Sequence, residues 1–206
     1  MDFPTALRSH RLIAIVRGTD AEASLRTVLT LAECGVGIIE VSLSGTDALE
    51  VIGRARSRLG ADAWLGAGTV VTEEDTGRAV DAGANLVVTP GLGAGVATAL
   101  GLGVPVVAGV LTPTEVIVAQ RAGATALKVF PASAVGGPAY LKALAGPFPG
   151  LPFVPVGGVD EAAAESYLAL GATAVGVGSP LVGDAADGGD LGALRERARR
   201  FLEVCA

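Results

Sequence analysis

Eight short apolar segments at regular intervals are the feature of this sequence that most limits its possible folds. They lie at residues 12–17, 38–43, 63–69, 85–89, 104–109, 125–130, 153–157 and 173–178. Each has the length of a buried strand and is bounded by turn residues. Helix-like segments separate them at 20–34, 47–59, 73–82, 93–100, 114–122, 138–145 and 161–170, and another follows at 191–204.

The boundaries of these segments support a repeated strand–helix unit. Glycine, the residue that commonly ends a helix, follows five of the predicted helices, at Gly35, Gly60, Gly83, Gly123 and Gly171. Eight such units in 206 residues predict a (β/α)₈ TIM barrel in a single domain, 1–206. An open doubly wound sheet is the alternative. It would more often carry a Gly-rich nucleotide-binding turn after the first strand, and the sequence at 17–20, Arg-Gly-Thr-Asp, is not such a turn.

Composition excludes several classes of partner and cofactor. The formal net charge is −6 and there is no basic run, so neither nucleic acid nor an anionic membrane is an expected partner. Cys34 and Cys205 do not form a disulfide framework, and His10 is the single histidine. We therefore expect no metal and no organic cofactor.

A long uncharged stretch, 82–114, imitates a membrane span. Prolines and repeated glycines interrupt it, and it divides into a strand, a helix and a strand, so we interpret it as buried structure. Residues 1–10 lack the apolar core of a signal peptide. We expect a cytoplasmic protein.

Three of the predicted strands each carry one charged residue among apolar neighbours. Lys128 shares a strand face with Ala126 and Phe130. Glu40 shares a face of the second strand with Ile38, and Arg17 ends the first strand. Burial lowers the pKa of an ammonium group, and a neutral lysine is the nucleophile that forms Schiff bases. A solvated lysine at a strand end, or a structural ion-pair network, would also explain these charges.

The ends of the other strands carry further polar or glycine residues, and this end of a TIM barrel is where catalytic residues gather. Thr69 ends the third strand, and Pro90 follows the fourth. Phosphate sites in such barrels use the loops after strands 7 and 8, where the chain has Gly157-Gly158 and Gly178-Ser179. Phe130 and Pro90 are candidate walls of the pocket, although ordinary packing would equally explain them.

At seven places the sequence resembles the 2-keto-3-deoxy-6-phosphogluconate aldolase family, which includes 6-phosphogalactonate and 4-hydroxy-2-oxoglutarate aldolases. The matching segments are Ile-Ala-Ile-Val-Arg-Gly at 13–18, Ile-Glu-Val at 39–41, Gly-Ala-Gly-Thr at 66–69, Val-Thr-Pro-Gly at 88–91, Leu-Lys-Val-Phe-Pro at 127–131, Lys-Ala-Leu with Gly-Pro-Phe at 142–148, and Val-Gly-Gly at 156–158. The resemblance implies a class I aldolase on a (β/α)₈ barrel, assembled as a homotrimer, that cleaves a 2-keto-3-deoxy-6-phospho sugar acid to pyruvate and glyceraldehyde 3-phosphate.

The resemblance also implies a role for each candidate. Lys128 would form the Schiff base and Glu40 would transfer protons. Arg17 and Thr69 would bind the pyruvyl carboxylate. Gly157, Gly158, Gly178 and Ser179 would hold the phosphate.

One position departs from the family pattern. Many phosphogluconate aldolases have arginine four residues after the glutamate, where this chain has Ser44. The arginine at the end of the first strand is more similar to the phosphogalactonate branch, which leaves the preferred configuration at C4 open. Two other functions remain as alternatives: a phosphate-binding barrel isomerase or synthase without a Schiff base, and a non-catalytic phosphosugar-binding protein.

The segment 91–103 contains no charged residue, although an outer helix of a barrel normally presents a polar face. An apolar surface of this kind predicts contact with another subunit. The alternative is that its small residues simply expose little apolar area.

Overall fold

The computed structural model describes residues 1–206 and contains eight parallel strands alternating with helices. The strands are β1 (Leu12–Val16), β2 (Ile38–Ser42), β3 (Trp64–Gly68), β4 (Leu86–Val88), β5 (Val106–Val110), β6 (Ala126–Val129), β7 (Phe153–Pro155) and β8 (Val175–Val177). Their order in the sheet is β7-β6-β5-β4-β3-β2-β1-β8. A parallel bridge between Val156 and Gly176 closes this sheet into a barrel. The predicted (β/α)₈ fold is confirmed, and the open-sheet alternative is wrong.

Ten helices surround or flank the barrel. They are α1 (Phe3–His10), α2 (Ala21–Glu33), α3 (Ala48–Leu59), α4 (Glu73–Asp81), α5 (Ala94–Gly101), α6 (Pro113–Ala122), α7 (Gly137–Ala145), α8 (Glu161–Ala169), α9 (Ser179–Val182) and α10 (Leu191–Cys205). Eight of these correspond to the predicted helices, with ends that differ by at most one residue. The sequence analysis did not predict α1, α9 or the two short 3₁₀ turns at Ser133–Val135 and Ala185–Asp187.

Polar side chains and glycines set the helix ends. The side chain of Asp20 accepts a hydrogen bond from the N–H of Ala23, and Thr72 forms a reciprocal capping box with Asp75. All five glycines predicted to follow helices have positive φ, between +81° and +105°. Glycine adopts this left-handed backbone without steric penalty.

Alternation of side chains along the strands divides the core into two layers. One layer lies between the sheet and the helices and includes Leu127 and Val129 of β6. The other fills the barrel interior and includes Ile13, Ile38 and Ala126. The faces predicted for β2 and β6 are therefore confirmed, and Glu40 and Lys128 point into the barrel with the interior layer.

The unpredicted helix α1 closes the amino-terminal end of the barrel. Asp2 caps it, and Phe3 and Leu7 are buried with the interior core. The ring of Phe3 lies edge-on to Trp64 of β3, with 5.1 Å between ring centroids. This end is thus filled with apolar side chains, and open space remains only at the opposite end.

The uncharged stretch 82–114 forms β4, α5 and β5. This agrees with the predicted strand, helix and strand. None of the ten helices combines the length and the apolar character that crossing a membrane requires.

We expect the substitution Phe3→Ala to destabilise the barrel by about 3–5 kcal/mol, because it removes a buried ring and leaves a cavity. Urea unfolding followed by circular dichroism measures the change. Leu170→Ala, at a side chain that is 42% exposed, is the matched control and should change stability by about 0.5 kcal/mol or less. Equal losses in both variants would show that α1 does not contribute in this way.

Candidate active site

A cavity of about 480 Å³ lies at the carboxyl-terminal ends of the strands. All ten predicted site residues line it: Arg17, Glu40, Thr69, Pro90, Lys128, Phe130, Gly157, Gly158, Gly178 and Ser179. Arg17, Thr69, Phe130 and the glycines lie just beyond the strand ends instead of inside the strands, where the sequence analysis had placed several of them. Loops that follow strands form the sites of such barrels, so this shift leaves the residues in the same cavity.

Lys128 lies in the middle of β6 and points into this cavity. Its side chain is 6% exposed and its Nζ lies 5.1 Å from the centroid of the Phe130 ring. The face of an aromatic ring attracts a cation at this distance. Of the two lysines in the chain, the other, Lys142, is exposed on α7. The alternative of a solvated lysine at a strand end is therefore wrong for Lys128.

Glu40 lies on β2, across the barrel from Lys128, because β3, β4 and β5 separate the two strands. It is 2% exposed, and burial raises the pKa of its carboxyl group above the ordinary value. The positive charges of Lys128 and Arg17 act in the opposite direction. Burial thus favours the protonated form, while the two cations favour the carboxylate.

The salt bridges of the chain lie at the surface, and none includes Arg17, Glu40 or Lys128. The alternative of a structural ion-pair network is therefore wrong. Lys128 and Glu40 remain free to bond to a molecule in the cavity.

Arg17 follows β1 and is the only arginine that lines the cavity. The turn after it is held on two sides. Thr46 donates its N–H to the carbonyl of Gly18, and Thr19 donates its N–H and its hydroxyl to Asp187. These bonds join the loop after β1 to the loops after β2 and β8, so the backbone that carries Arg17 has a defined position.

A chain of three hydroxyl groups follows β2 and β3 at the rim. The Oγ of Ser42 lies 2.8 Å from that of Ser44 and 2.9 Å from the Oγ1 of Thr69. Thr69 also has φ of +61°, an uncommon conformation for a residue with a branched side chain. Strained residues of this kind concentrate at functional sites. The sequence analysis identified Thr69 and noted Ser44, but it missed Ser42.

The other side of the cavity presents free backbone N–H groups. Gly157 and Gly158 have φ of +100° and +68°, and neither they nor Gly178 donate a backbone hydrogen bond within the protein. The exposed Ser179 follows Gly178 at the start of α9. Unpaired N–H groups and a hydroxyl around one space form a site suited to an anion.

Pro90 reaches the cavity because β5 has a glycine beside it. A Cβ at Gly109 would lie 2.2 Å from the carbonyl carbon of Pro90, and the N–H of Gly109 donates to the hydroxyl of Thr89. Gly109 was not predicted from the sequence, because it gives no signal until β5 and the loop after β4 are seen together. No group of three or more His, Cys, Asp or Glu residues is placed to hold a metal ion.

Comparisons with known proteins show the family of this chain. The family model for KDPG and KHG aldolases matches residues 4–195. A probable 2-dehydro-3-deoxy-6-phosphogalactonate aldolase of Rhizobium meliloti is 38% identical over 91% of this chain and 87% of its own length. A 2-dehydro-3-deoxy-phosphogluconate aldolase of Treponema pallidum is 38% identical over 80% of this chain and 78% of its own.

Solved structures show the same relationship. The KDPG aldolase of Legionella pneumophila, captured with pyruvate at low pH as a covalent carbinolamine intermediate, superposes with a TM-score of 0.84. The two proteins are 26% identical, and the match covers 100% of this chain and 97% of that one. The chain therefore belongs to the KDPG and KHG aldolase family and is a carbon–carbon lyase of that type.

Proposed function

We propose that the protein is a class I aldolase that cleaves a 2-keto-3-deoxy-6-phospho sugar acid to pyruvate and glyceraldehyde 3-phosphate. The observation that carries this proposal is the pair formed by Lys128 and Glu40. Both are buried, they face each other across one cavity, and no salt bridge joins them. A non-catalytic phosphosugar-binding protein has no use for such a pair, and a barrel isomerase or synthase without a Schiff base does not require a buried amine as nucleophile.

The reaction begins at Lys128. Its neutral amine adds to the C2 carbonyl carbon of the substrate, and loss of water gives an iminium. Glu40, directly or through a water molecule, removes the proton of the C4 hydroxyl. The C3–C4 bond breaks, its electron pair moves into the iminium to form an enamine, and glyceraldehyde 3-phosphate leaves. Glu40 then returns a proton to C3, and hydrolysis of the iminium releases pyruvate and restores Lys128.

The two ends of the cavity hold the two anionic groups of the substrate. Arg17 and Thr69 bind the carboxylate beside C2, near Glu40 and Lys128. Gly157, Gly158 and the Gly178-Ser179 turn bind the phosphate through N–H groups and a hydroxyl. Pro90 and Phe130 form the walls between these ends, where they reduce the access of water to the enamine.

Substitution of Ser44 for the arginine of many phosphogluconate aldolases bears on the carboxylate site. Ser44 bonds to Ser42 and brings no charge, while Arg17 is the one arginine at the cavity. This supports Arg17 as the carboxylate ligand. The relatives include both sugar series at the same identity, so the proposal covers both C4 configurations, and assays with the two epimeric phosphorylated acids decide between them.

Incubation with pyruvate and borohydride should add one reduced pyruvyl group to the wild-type protein, on the peptide that contains Lys128. Peptide mass spectrometry is the measurement. Lys142→Met, at the exposed lysine of α7, should be labelled as wild type is, and Lys128→Met should not. Label on Lys142 would exclude Lys128 as the residue that forms the Schiff base, and unlabelled wild type would exclude the Schiff-base mechanism.

The pH dependence of pyruvate C3 proton exchange should report the carboxyl group of Glu40. The base is lost when the Glu40 carboxylate is protonated, as the pH falls through its pKa. Because burial holds this pKa above the ordinary value of 4.5, the loss of activity should begin at a higher pH than it would with a solvated glutamate. Arg17→Met removes a charge that lowers this pKa and should therefore move the acid limb of kcat/KM to higher pH. Lys142→Met serves as the control with an unchanged limb. An acid limb of Glu40→Gln that is unchanged from wild type would show that another group is the base.

Ser179→Asp places a negative charge at the phosphate end of the cavity. It should raise KM for the phosphorylated substrate at least tenfold, while KM for pyruvate in the exchange reaction stays near the wild-type value. Arg17→Met should instead raise KM for pyruvate and for the phosphorylated substrate, because both molecules carry the carboxylate. Steady-state kinetics of both reactions make the comparison, and equal effects on pyruvate in the two variants would contradict separate anion sites.

We further propose that the protein is a homotrimer in which α5 contacts a neighbouring subunit. Its exposed positions include Ala94 and Ala97, and Leu102 at its end is 56% exposed. Val71, 49% exposed, accepts the N–H of Gly95 and extends this surface. No charge interrupts the helix.

Light scattering of dilute wild-type protein should therefore give the mass of a trimer, and Ala97→Glu or Ala94→Glu should shift the protein towards monomer. Glu165→Ala changes an exposed position of α8 and is the control. A monomeric wild type would contradict the assembly. A trimer that tolerates both charges would place the contact elsewhere.

A further inference from the structure

We propose that Gly68 positions the carboxylate of Glu40 by leaving empty the space that a side chain would fill. This inference rests on the proposed role of Glu40 as the proton-transfer group. Gly68 ends β3, which pairs with β2 in parallel register, Glu40 opposite Gly66 and Ser42 opposite Gly68. It has no side chain in the cavity, and no role for it follows from the sequence alone.

The geometry at Gly68 is a direct steric exclusion. A Cβ built on its backbone would lie 1.6 Å from the Oε1 of Glu40, 2.1 Å from its Cδ and 2.6 Å from its Cγ. These distances are far below van der Waals contact, so the Glu40 carboxyl group occupies the volume of the missing side chain. Any residue other than glycine would force that carboxyl group to move.

Nothing else within the protein fixes the Glu40 carboxyl group. Its oxygens take part in no salt bridge and in no side-chain hydrogen bond, although the residue is 2% exposed. The shape of the surrounding space therefore determines where the carboxylate lies. Because Gly68 has no side chain, the carboxyl group of Glu40 can occupy the space beside its Cα.

The backbone does not explain the glycine. Thirteen other glycines have positive φ, among them Gly157 and Gly158, but Gly68 does not. An alanine could adopt its conformation, and a glycine within a strand generally weakens it. The reason for glycine at this position is therefore the contact with Glu40.

Gly66 provides a matched control on the same strand. It points to the same face two residues earlier and is also buried without a positive φ. A Cβ there would meet the side chain of Leu86 at 3.1 Å and would not have Glu40 among its nearest neighbours. Gly66→Ala thus makes the same chemical change in the same strand, with Leu86 instead of the Glu40 carboxyl group as the nearest neighbour of the new methyl group.

The test measures two reactions of pyruvate in Gly68→Ala and Gly66→Ala. Gly68→Ala should lower C3 proton exchange about 10²-fold, the loss also expected for Glu40→Gln, because the displaced carboxylate no longer reaches C3. It should still allow borohydride to trap pyruvate on Lys128. Gly66→Ala should keep both reactions within a few-fold of wild type.

A double-mutant cycle shows whether Gly68 acts through Glu40. In the Glu40→Gln background, Gly68→Ala should cause little further loss of exchange. A loss as large as in wild type, or near-normal exchange in Gly68→Ala alone, would overturn the proposal. If the wild-type protein does not trap pyruvate, the proposed function is wrong. If the wild-type protein traps pyruvate and Glu40→Gln loses exchange, but Gly68→Ala retains it, only the proposed role of Gly68 is wrong.

A stability measurement covers the case in which Gly68→Ala folds poorly. Glu40→Ala removes the atoms that the new methyl group would meet, so the double variant Gly68→Ala/Glu40→Ala should melt at a higher temperature than Gly68→Ala. An equal or lower melting temperature would show that the methyl group clashes elsewhere, and it would overturn the proposal.

Discussion

Closure of the parallel sheet between β7 and β8 is the constraint on which the site depends. The bridge from Val156 to Gly176 completes a ring in which all eight strands run in one direction. All carboxyl-terminal ends then meet around one space, so residues far apart in sequence become neighbours. At the other end, α1 and Trp64 fill the barrel with apolar side chains. The barrel therefore has one open end, where polar side chains of five strands or of the loops after them (β1, β2, β3, β6 and β8) lie.

Ring geometry also explains how two opposite charges are buried without neutralising each other. β2 and β6 stand on opposite sides of an eight-stranded ring, so Glu40 and Lys128 face each other across the cavity. A direct salt bridge between them would satisfy both groups and leave neither available for a substrate. Separation keeps both reactive, while the charge of Lys128 still favours the ionised form of Glu40. Loss of hydration is the cost, and burial accordingly raises the pKa of Glu40.

Glycine serves two different physical purposes around this cavity. At Gly157 and Gly158 the backbone is left-handed, and the turn leaves N–H groups free to bind an anion. At Gly68 and Gly109 the missing side chain makes room for a neighbour, a carboxyl group in one case and the Pro90 backbone in the other. A chain with 30 glycines in 206 residues thus combines a tightly closed barrel with an open mouth.

The sequence by itself determined the repeated unit and the faces of the strands, and it predicted ten residues that line one cavity. Spacing of apolar segments predicted all eight strands, and alternation placed Glu40 and Lys128 inside the barrel, because these are local properties of the chain. Helix α1 was not predicted from the sequence, because it is short and its apolar residues are buried only when they pack into the end of the barrel. Tertiary structure alone decided which N–H groups stay unpaired, that Ser42 joins Ser44 to Thr69, and that Gly68 adjoins the Glu40 carboxyl group. Each of these depends on contacts between strands or loops that are distant in sequence, and no local pattern encodes such a contact.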